Sequence, residues 1–237
     1  MKIRIFISMV REGCMEEIAS LAFAGLVLGI THALDADHVA AISTIISEKK
    51  KILPSAILGI VWGFGHTMTL LAAVLSMFII GFKMPELVQN NAEALVGIML
   101  LVLGALAIKK ALGTKVHLHE HTHDGIGHIH IHQHIFEKGH EHSHEKRSLL
   151  VGIIHGFAGS AALMMIIATN ANGLGDSLGY VLAFGIGTTI GMATITMLMA
   201  IPISIIAESN RITNVQTICG AFSIVIGLFI ISQMLVL

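Results

Sequence analysis

IASLAFAGLVLGITHALDADHVAAISTII, residues 18–46, is the stretch on which the fold turns. Its two ends are apolar and free of Lys, Arg, Asp and Glu. Its centre carries His32, Asp35, Asp37 and His38. A bilayer core of roughly 30 Å needs about 20 predominantly apolar residues per helix, so the stretch is long enough to span. An Asp at the centre of such a helix costs near +3 kcal/mol on insertion scales. Polar groups this dense persist inside a span only where they face a partner, a water-filled cavity or an ion.

The rest of the chain has the same character. Its 237 residues are 54% hydrophobic and 12% charged, with mean hydropathy +0.83. Soluble domains carry about 25% charged residues, so the composition points to lipid as the solvent. The net charge of −1 offers no basic excess for nucleic acid. Two cysteines, Cys14 and Cys219, exclude a disulfide scaffold and a four-thiolate metal site. Nothing resembles a phosphate-binding Walker loop, so ATP hydrolysis within the chain is not expected.

Six apolar stretches emerge, and the fold expected is an all-α integral membrane protein of six transmembrane helices. The spans run over 18–46, 52–82, 92–108, 149–169, 178–206 and 215–237. Residues 1–17 read as an interfacial N-terminal segment, whose apolar run Ile5 to Val10 is too short to cross. Residues 18–108 form a first three-helix unit, 109–148 a polar loop, and 149–237 a second three-helix unit. The halves correspond: His32 in GITHA faces His155 in GIIHG, 123 positions on. Gly63 and Gly65 face Gly185 and Gly187, and Gly97 and Gly104 face Gly220 and Gly227. Three spans end on the opposite side of the membrane, so a repeated three-helix unit must be inverted. That is the plan of many secondary transporters, with the substrate site near the midplane.

Lys49, Lys50, Lys51, Lys109, Lys110, Lys115, Lys138, Lys146, Arg147 and Arg211 collect on one face; Lys2, Arg4, Arg11 and Lys83 lie on the other. The bias places the loops after spans one, three and five in the cytoplasm. The central loop, flanked by Lys109-Lys110 and Lys146-Arg147, is therefore expected to be cytoplasmic.

The chemistry lies in the histidines. Fifteen are present, and four fall in apolar segments: His32, His38, His66 and His155. At about 100° per residue, His32, Asp35 and His38 share a helical stripe of roughly 120°, with Asp37 off it. At about 1.5 Å rise per residue, His32 and His38 are about 9 Å apart along a straight helix. One ion cannot easily take both, so either the helix unwinds here or ligands arrive from other spans, namely His66 and His155. Imidazole with carboxylate suits divalent Ni, Co, Zn, Cu and Fe, and suits Mg or Ca poorly. Asp37 is open to two roles, orienting an imidazole or carrying a coupled proton.

The other eleven histidines lie in the loop. They alternate as His117, His119, His121 and His123, then His128, His130, His132 and His134, then His140, His142 and His144. Period two places each run on one face of an extended chain. Asp124-Gly125 is a turn signal that admits a metal-induced hairpin; the alternative is a disordered polar tract. Either form captures metal, and a pH-sensing role is the lesser alternative. A metal chaperone or a metalloenzyme maturation protein is a further expected partner.

The heptapeptide from His32 to His38 resembles the signature of the nickel/cobalt transporters, the NiCoT and NicO group, including its six-span urease-accessory branch. Gly65-His66-Thr67 resembles that group's second motif, and His155 to Leu163 resembles the fourth-span element of the urease-accessory branch. The resemblance covers most of the chain apart from the head and the loop. It implies a permease, not an enzyme, for Ni²⁺ or Co²⁺ as transported substrate, with no prosthetic group. It implies that His32, Asp35, Asp37 and His38 are essential to metal recognition. The chain departs from the eight-span members in carrying Thr31 where they have Arg. It has Gly159-Ser160-Ala161 nearest to their later acidic motif. Uptake across the cytoplasmic membrane is the expectation; efflux by the same fold, a membrane metal sensor or chaperone, and an intramembrane metalloenzyme are the alternatives.

Overall fold

The computed structural model describes residues 19–47, 52–81, 86–113, 117–123, 126–132, 141–170, 173–207 and 212–236. The chain runs α1 (Ala19–His32), α2 (Ala36–Ile46), α3 (Ile52–Ile80), α4 (Glu86–Gly113), β1 (His117–His123), β2 (Ile126–His132), α5 (Glu141–Asn170), α6 (Leu174–Ala207) and α7 (Ile212–Val236). Four of the described helical stretches are long and apolar enough to cross a membrane: Ile52–Ile80, Asn91–Gly113, Leu174–Ile206 and Ile212–Met234. The pair α1 and α2 makes a fifth if counted as one broken span. The protein is a multi-pass, helical membrane protein. Its apolar side chains point outward in numbers that water would not tolerate. Ile79, Ile80, Val225, Leu228 and Phe229 are among many large exposed hydrophobics, as expected where lipid covers them.

The helix ends differ from the sequence-based boundaries. Helix α4 runs on to Gly113 and α5 begins at Glu141, so the polar segment starts later and ends sooner than 109–148. Polar residues extend a helix past the hydrocarbon readily, because backbone hydrogen bonds cost nothing extra in water. The expectation of helices alone also needs amending. Strands β1 and β2 form an antiparallel hairpin in which His117 pairs with His132, His119 with His130, and His121 with His128. Residues 1–17, the Asp124-Gly125 turn, His134 and His140 lie outside the described residues.

The first span is broken. Helix α1 ends at His32, α2 starts at Ala36, and the two axes are bent by 55°. Backbone bonds from Leu34 to Thr31 and from Asp35 to His32 tighten the last turn of α1, the usual way a helix end satisfies its carbonyls. Asp35 then sits in extended geometry at the N-terminus of α2, and Val39 donates to its carbonyl. Thr31 bonds back to the carbonyls of Val27 and Leu28, which competes with the ladder and helps α1 stop.

The longer helices pack by small residues. Helix α3 lies along α6 and α5, and α4 lies along α7. Between α4 and α7 the glycines meet crosswise. A methyl group on Gly97 would lie 3.0 Å from the Gly227 carbonyl oxygen, and one on Gly227 would lie 2.7 Å from that of Gly97. Gly104 and Gly220 are related in the same way, at 2.5 and 2.8 Å. Only residues without a side chain let backbones approach this closely, which is how packing drives helix association in lipid. Polar contacts reinforce it: Ser223 Oγ donates to the Leu100 carbonyl at 2.9 Å, and Ser148 Oγ to that of Leu58 at 2.6 Å.

Candidate metal centre

The break in the first span is where the polar side chains gather. A helix that stops at His32 and restarts at Ala36 leaves a short irregular backbone, and side chains on its two sides can turn toward one point. The His32 and His38 ring centroids are 4.5 Å apart, against the roughly 9 Å axial offset of an unbroken helix. Helix α3 brings His66, whose ring lies 5.4 Å from His32 and 5.9 Å from His38. Helix α5 brings His155, 4.5 Å from His38. The four intramembrane histidines from three separate spans thus converge. The span is interrupted, and imidazoles of two other spans lie beside the break.

The carboxylates exchange places relative to the helical stripe. A wheel drawn through His32, Asp35 and His38 assumes one continuous helix, and the break removes that premise. Asp37, in the first turn of α2, is turned inward. Its Oδ1 lies 3.0 Å from His38 Nδ1 and accepts the His38 backbone N–H at 2.9 Å; its Oδ2 lies 3.4 Å from His155 Nε2. Asp35 is more exposed, with 55% of its side-chain surface accessible, and holds His32 Nδ1 at 2.7 Å.

In His32 and in His38 a carboxylate thus occupies Nδ1. This is the arrangement by which metal-binding imidazoles are oriented, leaving Nε2 to face the ion. His38, His66 and His155 are buried to 1%, 1% and 3% accessibility. Among the described residues, His38 Nε2, both ring nitrogens of His66 and Nδ1 of His155 form no hydrogen bond, and His155 Nε2 meets the Asp37 carboxylate only at 3.4 Å. An unmet buried polar atom costs roughly 1–3 kcal/mol, and several at one point are a debt that a bound cation would remove.

Two sets of donors are placed to hold an ion. One atom each from His32, His38 and His66 lies within 4.8 Å of the others, and the same is true of Asp37, His38 and His155. Three donors on one ion at about 2.1 Å bond length lie at most about 3.6 Å from one another, so each set closes on an ion by drawing in by up to about 1 Å. Gly159 on α5 faces the cluster: a methyl group there would lie 3.8 Å from His66 Nε2 and 3.9 Å from His32 Nε2. Behind the rings stands Trp62, buried to 1%, at 5.8 Å from His38 and 5.2 Å from His155.

A cavity of about 410 Å³ opens onto the cluster, lined by His32, Asp37, His38 and His155 among others. Six waters fill about 180 Å³ at their liquid volume, so the cavity admits a hydrated divalent ion. Glu93 of α4 also lines it. Sequence reasoning missed this residue because it falls at the edge of the third span, where a carboxylate reads as ordinary interfacial polarity. Trp62 was missed as well, since an aromatic in an apolar run carries no signal of what it stacks on.

Of the loop histidines, seven occupy the hairpin backbone: His117, His119, His121, His123, His128, His130 and His132. His142 and His144 belong to the first turns of α5. The strand register sets histidine opposite histidine at three positions.

No family model and no solved structure matches the chain. Two curated proteins do. The Chloroplast protein FOR GROWTH AND FERTILITY 2 of Arabidopsis thaliana is 26% identical over 190 residues, covering 76% of this chain and 47% of its own length. The chain thus spans about half of that relative. The Urease accessory protein UreH of Bacillus sp. (strain TB-90) is 38% identical over 231 residues, covering 90% of each chain. At that identity along nearly the whole length, the chain belongs to the UreH family of urease accessory proteins.

Proposed function

We propose that this protein is a secondary permease that moves Ni²⁺, Co²⁺ or both across the cytoplasmic membrane in the direction of uptake. The observation that carries the reading is the cluster itself: four histidines and an aspartate from three spans, with buried ring nitrogens that lack hydrogen bonds gathered in two overlapping donor sets beside a cavity. Imidazole and carboxylate donors select late first-row divalent ions. The resemblance of the His32–His38 heptapeptide to nickel/cobalt transporters narrows the choice to nickel and cobalt, and kinship with a urease accessory protein agrees with it.

The permease consists of six spans in two inverted three-helix repeats, 18–108 and 149–237, joined by the cytoplasmic loop 109–148, with 1–17 at the interface. Support comes from the crosswise glycines. Residues at equivalent places in two copies of a unit, related by a two-fold axis, contact reciprocally: i meets j′ and j meets i′. Gly97 meets Gly227 while Gly104 meets Gly220, and those partners are the other's counterparts at an offset of 123. Gly29 abuts the Phe184 carbonyl and its counterpart Gly152 abuts that of Trp62. Rocking of one repeat against the other then exposes the midplane site to each side in turn.

In this mechanism the ion enters the cavity hydrated, exchanges water for imidazole, and is neutralised in part by Asp37. Asp35 holds His32 in its ligating orientation. The histidine-paired hairpin raises the local metal concentration at the cytoplasmic mouth and is the surface for a nickel chaperone or maturation protein. Uptake of radioactive nickel by cells expressing the protein tests the reading. Accumulation above control cells, lost in His38→Ala, supports it. Lower accumulation than control, with better growth on excess metal, would instead assign efflux by the same fold.

A further inference from the structure

We infer that the cluster is two overlapping metal stations with His38 in common, and that the ion passes from one to the other during transport. The inference rests on the permease reading and adds the path within the site.

The two donor sets share His38 and nothing else. They differ in chemistry, with three imidazoles in one and two imidazoles with a carboxylate in the other. They also differ in access. All three members of the Asp37, His38 and His155 set line the cavity, whereas the imidazole set reaches it through His32 and His38 and its third member, His66, is not among the lining residues. The carboxylate set is therefore the outer station and the imidazole set the inner one. Each offers three protein donors, which leaves a coordination position for water or for the incoming ligand, as in metal sites that exchange what they bind. A neutral imidazole has one ring nitrogen free to accept and the other carrying its proton. His38 can thus serve one ion at a time, and the stations fill alternately. An ion moving inward gives up Asp37 and His155, gains His32 and His66, and is never without a histidine ligand. No proton or electron is exchanged with a further reagent in this step.

The geometry explains why so many donors stand so close together. One trap made of all five donors would hold nickel too tightly to release it. Two three-donor stations sharing a residue hold it loosely enough to leave, which is the condition for conduction through adjacent sites.

The test is a cobalt titration of the purified full-length protein in which the eleven loop histidines are changed to asparagine, so that only the spans report. Visible absorption gives the donor set and equilibrium dialysis gives the number bound. The parent is expected to bind one Co²⁺. His66→Asn and His155→Asn should each still bind one, within about tenfold of the parent affinity. Their spectra should differ, two nitrogens and an oxygen in the first and three nitrogens in the second. Both should fail to move nickel in vesicles. His66→Gln and His155→Gln repeat the comparison should either asparagine variant be unstable. Two ions bound by the parent, loss of binding in both variants alike, or a variant that keeps parental transport would each overturn the two stations. A parent that binds cobalt but moves no metal would refute the permease reading instead, while leaving the two spectra as evidence for the stations.

Discussion

Asp35 and Asp37 are two positions apart and do different things, because a helix ends between His32 and Ala36. Asp37 touches His38 and approaches His155; Asp35 touches His32 alone. Removing the charge at Asp35 should leave the donors in place and let the His32 ring turn. Asp35→Asn is therefore expected to weaken apparent metal affinity about 10–100-fold, the usual effect of losing a residue that orients a ligand. Uptake kinetics over a range of nickel concentrations check this, as a raised KM with the maximal rate largely kept. Gly159→Val tests the space beside the cluster. Side-chain atoms beyond Cβ would project toward His32 Nε2 and His66 Nε2 from a Cβ already 3.9 and 3.8 Å away. Transport should fall at least tenfold in a variant that keeps its thermal stability, read as nickel uptake beside a melting curve. At this scale much was legible in advance. The histidines, Asp35 and Asp37 stand out because charge and imidazole are costly in hydrocarbon. The division of labour between the two aspartates was not, since angular arithmetic on one helix cannot foresee that the helix stops. Glu93 was hidden for the opposite reason: at the end of a span a carboxylate costs little and so attracts no notice.

Elements lock together here by close backbone contact more than by bulk. Gly97, Gly104, Gly220 and Gly227 let α4 and α7 approach until a methyl group would meet a carbonyl oxygen. Gly104→Leu must push the helices apart. Overpacking a tight interface costs about 1–3 kcal/mol, so the variant should melt at a lower temperature in detergent. Gly113→Leu, at an open position with nothing within 4 Å, should melt near the parent. The 123-residue offset made these glycines conspicuous in the sequence, but an offset pairs Gly97 with Gly220 as equivalents and is silent on which residues touch. Contact is crosswise, Gly97 to Gly227. The break in the first span was one of two solutions to the distance between His32 and His38; its 55° bend depends on Thr31 and the tightened turn at residues 31–35. No periodicity encodes that.

For the molecule as a whole, the histidines divide into two groups in different places. The loop group lies in a polar segment that includes a hairpin whose strands set histidine opposite histidine. The intramembrane group is held by three spans beside the cavity, which His32, His38 and His155 line. Deleting residues 117–144 should remove most of the metal bound per chain while leaving a substantial rate of nickel transport, measured by dialysis and by flux on the same preparation. Composition and the long apolar runs together foretold the helical membrane class, because so few charges suit lipid and runs of about 20 apolar residues suit spanning helices. It could not foretell that the polar segment includes strands, since alternating histidine suits an extended chain whether or not it pairs. The claim on which everything else depends is that the intramembrane cluster carries nickel or cobalt across the bilayer. Flux of radioactive nickel into sealed proteoliposomes tests it most directly, with the parent protein and His38→Ala reconstituted at equal density. The account predicts uptake by the parent that cobalt competes away and that falls to the level of empty vesicles in His38→Ala. Equal flux in the two, or none in a parent that binds the metal, would contradict it.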